Sequence, residues 1–206
     1  MKGCLAALVL SVVAIVVVVL VGVLSLFSIR RTNIRLYHEV EKTHADIEAQ
    51  LQRRLDLVEN VVATVKKHVQ HEQAVLSEIA RSRHANAEAV VEKAVAALKG
   101  TKFADDPEAF MKLMGGLSTQ IGTYLSVVVE NYPDITASES FRDLRAILEG
   151  SENRISIARQ DYNHAVAEYN AHVDTWGFMP FYPYKEHRKP FEADPGAERA
   201  PKVVLD

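Results

Sequence analysis

Between Ile34 and Leu98 the chain has neither proline nor glycine, the two residues that most often end a helix. It has a single cysteine, Cys4, so no intrachain disulfide can form. A surplus of basic charge is also missing. Three of the 24 Lys and Arg stand in residues 1–32, with none of the 27 Asp and Glu, which leaves 21 cations against 27 anions downstream, a formal charge of −6. A nucleic-acid binder needs excess cations to displace phosphate counterions, so the balance argues against that class. No stretch of useful length alternates polar and apolar residues with a period of two, which argues against sheet. The 206 residues fit one anchored domain and not a multidomain enzyme.

The run from Gly3 to Ile29 carries no charge and is mostly Val, Leu, Ile and Ala. At about 1.5 Å per residue it can cross the roughly 30 Å of bilayer hydrocarbon with some tilt. It is nearly twice the usual apolar core of a cleaved signal peptide, about 7–15 residues, so a transmembrane helix over residues 4–29 is expected. Only three residues precede Cys4, too few for a secretion signal ahead of a lipidated cysteine. Lys2 stands before the span; Arg30, Arg31, Arg35 and Lys42 follow it. The positive-inside rule then places residues 30–206 in the cytoplasm.

The soluble part reads as helix throughout. Leu36, Val40, Ile47, Leu51, Leu55, Val58, Val62, Val65, Val69, Leu76 and Ile79 recur mostly at three- and four-residue steps. The pattern fades into an Ala-rich stretch, so a bend or break is expected near Arg83 to Asn86 and a stop at Gly100. Asp105, Asp106 and Pro107 open a second helix carrying Phe110, Met114, Leu117, Ile121, Tyr124 and Val128, with Gly115 and Gly116 either weakening it or admitting a close neighbour. Thr136 and Glu139 form a capping-box pattern for a third, whose stripe runs from Phe141 to Trp176 past a possible soft point at Gly150. Prolines at 180, 183, 190, 195 and 201 exclude helix beyond it. The expected fold is all-α: an amino-terminal transmembrane helix (residues 1–32 with its flanks), an elongated antiparallel bundle of long helices (33–176), and an irregular tail rich in proline and aromatics (177–206). Three passes, up, down and up, leave Trp176 far from the bilayer.

Gln50-Leu51-Gln52-Arg53-Arg54-Leu55-Asp56-Leu57-Val58-Glu59-Asn60-Val61-Val62, followed by Thr64-Val65-Lys66, His71-Glu72 and Ala80-Arg81, resembles the first long helix of the LemA family. Tyr132-Pro133-Asp134, Glu152-Asn153-Arg154-Ile155, Ala158-Arg159, Tyr162-Asn163 and Tyr169-Asn170 resemble its later half. The resemblance covers nearly the whole chain. It implies a bacterial single-span membrane protein with a bundle of long antiparallel helices, associated with the cell envelope, and it implies no catalytic residues. The family usually has proline where this chain has Glu59, so a kink there is expected to be absent or weaker.

Chemistry-bearing motifs are missing. His71-Glu72 begins a zinc-protease pattern, but its fifth position is Val75. His68 with His71, and His164, Glu168 and His172, share helix faces at spacings that arise readily on a solvated surface. For a carboxylate-bridged di-metal site the available pairs are Glu41 with His44 and Asp161 with His164, and the second pair flanks the apolar stripe instead of lying on it. Neither a Gly-x-Ser-x-Gly elbow nor a phosphate-binding loop is present. No catalytic, cofactor or metal residue is therefore assigned, and a metal-dependent enzyme ranks last among the readings.

Glu152, Ser156, Arg159, Asn163 and Asn170 fall on one helix face. With Arg53, Arg54 and Asn60 they are expected to bond between helices or to a protein partner and to set helix register. Trp176, Phe178 and Phe181, with Tyr182 and Tyr184, are expected to cap the distal end of the bundle or to meet a partner in preference to forming an interfacial belt at a membrane, which would need the tail to double back. The resulting functional expectation is a non-catalytic, membrane-anchored scaffold or adaptor of the bacterial inner membrane, acting on envelope proteins and open to self-association. The alternative is a self-assembling protein that organises or shapes membrane.

Overall fold

The computed structural model describes residues 2–72, 78–103, 105–132, 134–135 and 138–191, with side chains from residue 9 onward except 70–72. Leu76, Pro133, Thr136 and the prolines at 195 and 201 lie outside the described residues, as does the side chain of Cys4. Among the described residues four long helices make the fold: α1 (Lys2–Glu72), α2 (Glu78–Lys99), α3 (Pro107–Asn131) and α4 (Glu139–Trp176). No strand occurs among the described residues. The chain divides into two compact units, one of residues 45–160 and one of residues 1–44 with 161–206.

In the 45–160 unit the apolar stripes do what their spacing predicts. Ile47, Leu51, Leu55, Val58, Val62, Val65 and Val69 of α1 are buried, as are Phe110, Met114, Leu117, Ile121, Tyr124 and Val128 of α3. Each such side chain contributes about 1.5–3 kcal/mol when withdrawn from water. Two expectations fail. Ile79 is 75% exposed. Nor does the helix break near Arg83 to Asn86: α2 is continuous through those residues, and the reversal comes between α1 and α2. Ion pairs record the reversal. Lys66 Nζ meets Glu88 at 2.7 Å and Glu92 at 3.3 Å, and Lys99 pairs with Glu59, so α2 runs antiparallel to α1. Arg83 pairs with Glu130 of α3 at 3.3 Å. α1 is uninterrupted at Glu59.

Local signals explain the helix ends. Asp106 caps α3, its carboxylate accepting from the Ala109 amide at 2.9 Å, with Pro107 in the first turn. At the start of α4, Ser138 receives the Phe141 amide at 3.4 Å. Gly115, Gly116 and Gly150 lie within uninterrupted helices, and a Cβ added at any of them would meet nothing within 4 Å, so no neighbour approaches there and no break occurs. Gly177 differs. It terminates α4 with its amide on Val173 O at 2.7 Å, and a Cβ would sit 2.6 Å from that same oxygen, so only glycine fits without a shift.

His84 of α2 is 4% exposed, set against the rings of Tyr124 and Tyr132 at 5.5 and 5.3 Å. Its Nε2 is 3.4 Å from Glu88, and neither ring nitrogen makes a hydrogen bond among the described residues. Burial therefore pulls its pKa below the ordinary imidazole value of 6.5, against the opposing pull of Glu88. Below 6.5 the unfolded chain takes up a proton that the folded chain resists. The associated stability is present above that pH and is lost as the pH falls. Half-buried His172 is lowered in the same direction by burial. The melting temperature should fall between about pH 7 and about pH 5, and His84→Phe should flatten the slope. Equal slopes in the two proteins would refute this role.

The 1–44 and 161–206 unit pairs the first part of α1 with the end of α4. Tyr37 lies 6.1 Å from Tyr169, and His44 lies 5.9 Å from Tyr162, so the two helices are antiparallel. Val40, Tyr162, Ala165, Val166, Tyr169, Val173 and Tyr182 form its core. From Val9 to Phe27 the large apolar side chains are exposed, 42–70% each, with nothing packed over them. Among the described residues this is one helix long and apolar enough to cross a membrane. The antiparallel pairing overturns the three-pass expectation, because the extra reversal after Glu72 brings Trp176 back beside the end of the apolar run.

Candidate functional site

Beyond Gly177 the chain turns and runs back along α4 as an extended strap that reaches Phe191. Helices offer no free backbone groups along their length, so an extended segment cannot pair with them as it would with a sheet edge. Asparagine side chains solve this, since a carboxamide presents one donor and one acceptor side by side, as a peptide group does. Asn33 donates to Tyr184 O and accepts from Tyr184 N, both at 3.2 Å. Asn170 makes the same pair with Arg188, both at 2.9 Å. Asn163 makes it with Phe191, at 3.0 and 2.8 Å.

Between these clamps, Tyr169 donates its hydroxyl to Glu186 O at 3.1 Å and Tyr162 to Lys189 O at 3.2 Å. Burial raises both phenols above their usual pKa, with Arg188 pulling the other way, so both remain donors at any physiological pH. Side chains of the strap add contacts of their own. Tyr184 stacks on Tyr37 at 3.9 Å, Arg188 stands 5.0 Å from the Tyr37 ring centre and bonds Glu41 at 2.6 Å, and His187 meets Asp174 at 2.9 Å. His172 Nδ1 bonds the Tyr182 hydroxyl. His172 and Glu41 are thus committed to the strap, and among the described residues no three His, Cys, Asp or Glu converge as metal ligands.

Asn163 and Asn170, expected to act between helices or on a partner, hold this chain's own tail. Arg54 sits elsewhere, in the 45–160 unit, 2% exposed, donating to Ser118 at 3.1 Å and Ser151 at 3.4 Å and paired with Glu152. Burial lowers its pKa, opposed by Glu152, and its Nε has no partner among the described residues. Arg53 and Asn60 are exposed, Arg159 and Trp176 are half-buried, and Phe178 and Phe181 are 79% and 82% exposed. Trp176, Phe178 and Phe181 do not cap the distal end, because α4 ends at the other end of its course. Sequence reasoning missed Asn33, Tyr37 and Arg188, and it singled out Tyr184 without its bond to Asn33. The seven-residue spacing of Asn163 and Asn170 was the signal for the clamp, but nothing local marks Asn33, which lies 151 residues from its mate.

The 45–160 unit also carries a shallow groove of about 610 Å³ between α2 and α3. Its floor is small and apolar, with Ala94, Ala97, Ala109 and Gly116, and its walls include Val90 and Leu113, 49% and 37% exposed. Lys93 and Lys112 flank it.

The model of the LemA family matches residues 43–204. Among curated proteins, this chain is similar to magnetosome protein MamQ of Magnetospirillum gryphiswaldense, 25% identical over 154 residues, which is 69% of this chain and 56% of that protein. It is also similar to magnetosome protein MamQ 2 of Paramagnetospirillum magneticum, 26% identical over 156 residues, 70% of this chain and 57% of that protein. The matched region thus spans a little over half the length of these relatives.

Proposed function

The chain belongs to the LemA family, and from that premise we propose that it is a non-catalytic scaffold of the bacterial cell envelope. Residues 4–29 tether it to the inner membrane, residues 30–206 face the cytoplasm, and the helical bundle works through protein contacts. The relatives are magnetosome proteins, and the exposed apolar run from Val9 to Phe27 supports attachment to a membrane.

The groove between α2 and α3 carries the reading. Exposed Val90 and Leu113 over an Ala and Gly floor leave room for the apolar face of a partner helix, and the two flanking lysines favour one with acidic margins. Leu113→Glu alters a partly exposed side chain and so leaves the fold intact, while placing a carboxylate in the groove. In native membranes, a photocrosslinker at position 112 should capture defined partners from the otherwise unaltered protein, and Leu113→Glu should abolish that capture. An unchanged set of adducts would sink the groove as the contact surface. If the purified protein forms large particles and its adducts are only with itself, the activity is self-assembly that organises membrane.

A further inference from the structure

We infer that the turn from Trp176 to Phe181 is a second membrane contact, inserting into the headgroup layer of the bilayer that holds the apolar part of α1. This rests on the membrane anchoring proposed above. Tyr169 lies opposite Tyr37 on antiparallel helices. Seven residues further along α4 and seven residues back along α1, Trp176 stands level with about residue 30, one residue beyond the uncharged run. Tyr184 is bonded to Asn33, so the whole turn between them sits within about one or two helical turns of Ile29. The headgroup layer on each side of the hydrocarbon is about 5–7 Å deep, close to the same distance.

The turn is held and its outer rings are bare. Gly177 closes α4 onto Val173, Tyr182 is 5% exposed and tied to His172, yet Phe178 and Phe181 are 79% and 82% exposed. Two large aromatic rings displayed in water by a fixed turn lose solvation free energy that an interfacial position recovers. Arg30, Arg31, Arg35 and Lys185 are exposed around the same level, suited to anionic headgroups. The nearby acids are Glu39, Glu186 and Asp174; Glu39 bonds Lys42 and Asp174 meets His187. With the span on α1, such a contact would hold the carboxyl-terminal end of α4 at the membrane surface as well.

Trp176 is the chain's one tryptophan and reports the contact directly. The full chain is reconstituted in vesicles of phosphatidylethanolamine and phosphatidylglycerol whose acyl chains are brominated near the headgroup or near the terminal methyl. Emission should be quenched more strongly by the shallow bromines than by the deep ones, and shielded from aqueous acrylamide. Phe178→Ser with Phe181→Ser should lose both effects while keeping the helical signal and melting temperature of the parent. A chain that floats with the vesicles but whose tryptophan is unquenched and open to acrylamide overturns the second contact alone, as does quenching that persists in the double variant. A chain that fails to float overturns the anchor and this contact together.

Discussion

Glu152→Ala should destabilise the bundle by about 3 kcal/mol, while Arg54→Met should change its stability by less than about 1 kcal/mol. The asymmetry follows from burial. Arg54 is 2% exposed whereas the Glu152 side chain is 51% exposed. Removing the acid strands a guanidinium in the interior with only the Ser118 and Ser151 hydroxyls and an already unpaired Nε. Removing the base releases Glu152 to water, and both serines keep their bonds to backbone carbonyls, Ser118 to Met114 and Ser151 to Leu148. Methionine fills the same elongated space without charge. The double variant should therefore recover most of what Glu152→Ala loses, a departure from additivity that denaturant titration of the four proteins would measure. Equal losses from the two single variants would mean that the buried cation stabilises the bundle by itself.

The Asn163→Ala and Asn170→Ala double variant should free the strap without unfolding the bundle. Each substitution removes two hydrogen bonds and leaves a backbone N–H and C=O unpaired in a half-buried position, at about 1–2 kcal/mol per site. Two sites seven residues apart on one helix add, giving about 3 kcal/mol, so the released state should rise by roughly a hundredfold. Trypsin reads this opening at Lys185 and Arg188, with cleavage following the open population when closing is fast. Global melting should hardly move, because local opening precedes it. Asn170→Asp should behave like Asn170→Ala at neutral pH, since a carboxylate then faces the Arg188 carbonyl that the amide nitrogen now serves. Unchanged cleavage in the double variant would show that the aromatic contacts of Tyr184 and Arg188 hold the strap without the clamps.

These two sites differ in how far the residues announced them. Asn163 and Asn170 stood out because seven residues return to the same helix face, and Arg54 because it falls in the block that resembles the first long helix of the LemA family. Their partners did not. Ser151 and Ser118 are unremarkable helix residues, and the strap residues bond through their main chain, which leaves no trace in side-chain identity. His84 was unmarked for a similar reason: its burial depends on Tyr124 and Tyr132 arriving from α3.

Apolar periodicity by itself determined the all-α class, the uncharged run suited to a bilayer, and the buried faces of α1, α3 and α4, because a helix's face repeats every 3.6 residues whatever it later meets. The reversal between Glu72 and Glu78 belongs to tertiary structure. No proline or glycine marks residues 73–77, and the antiparallel return of α2 is favoured because it lays Val91, Val95 and Leu98 into the core beside α1 and α3. That one reversal changes an odd number of passes to an even one and returns Trp176 to the neighbourhood of residue 30. Packing likewise decided the strap, since Asn33 and Tyr184 are joined across 151 residues, and a bond between such distant positions exists only once the helices have brought them together.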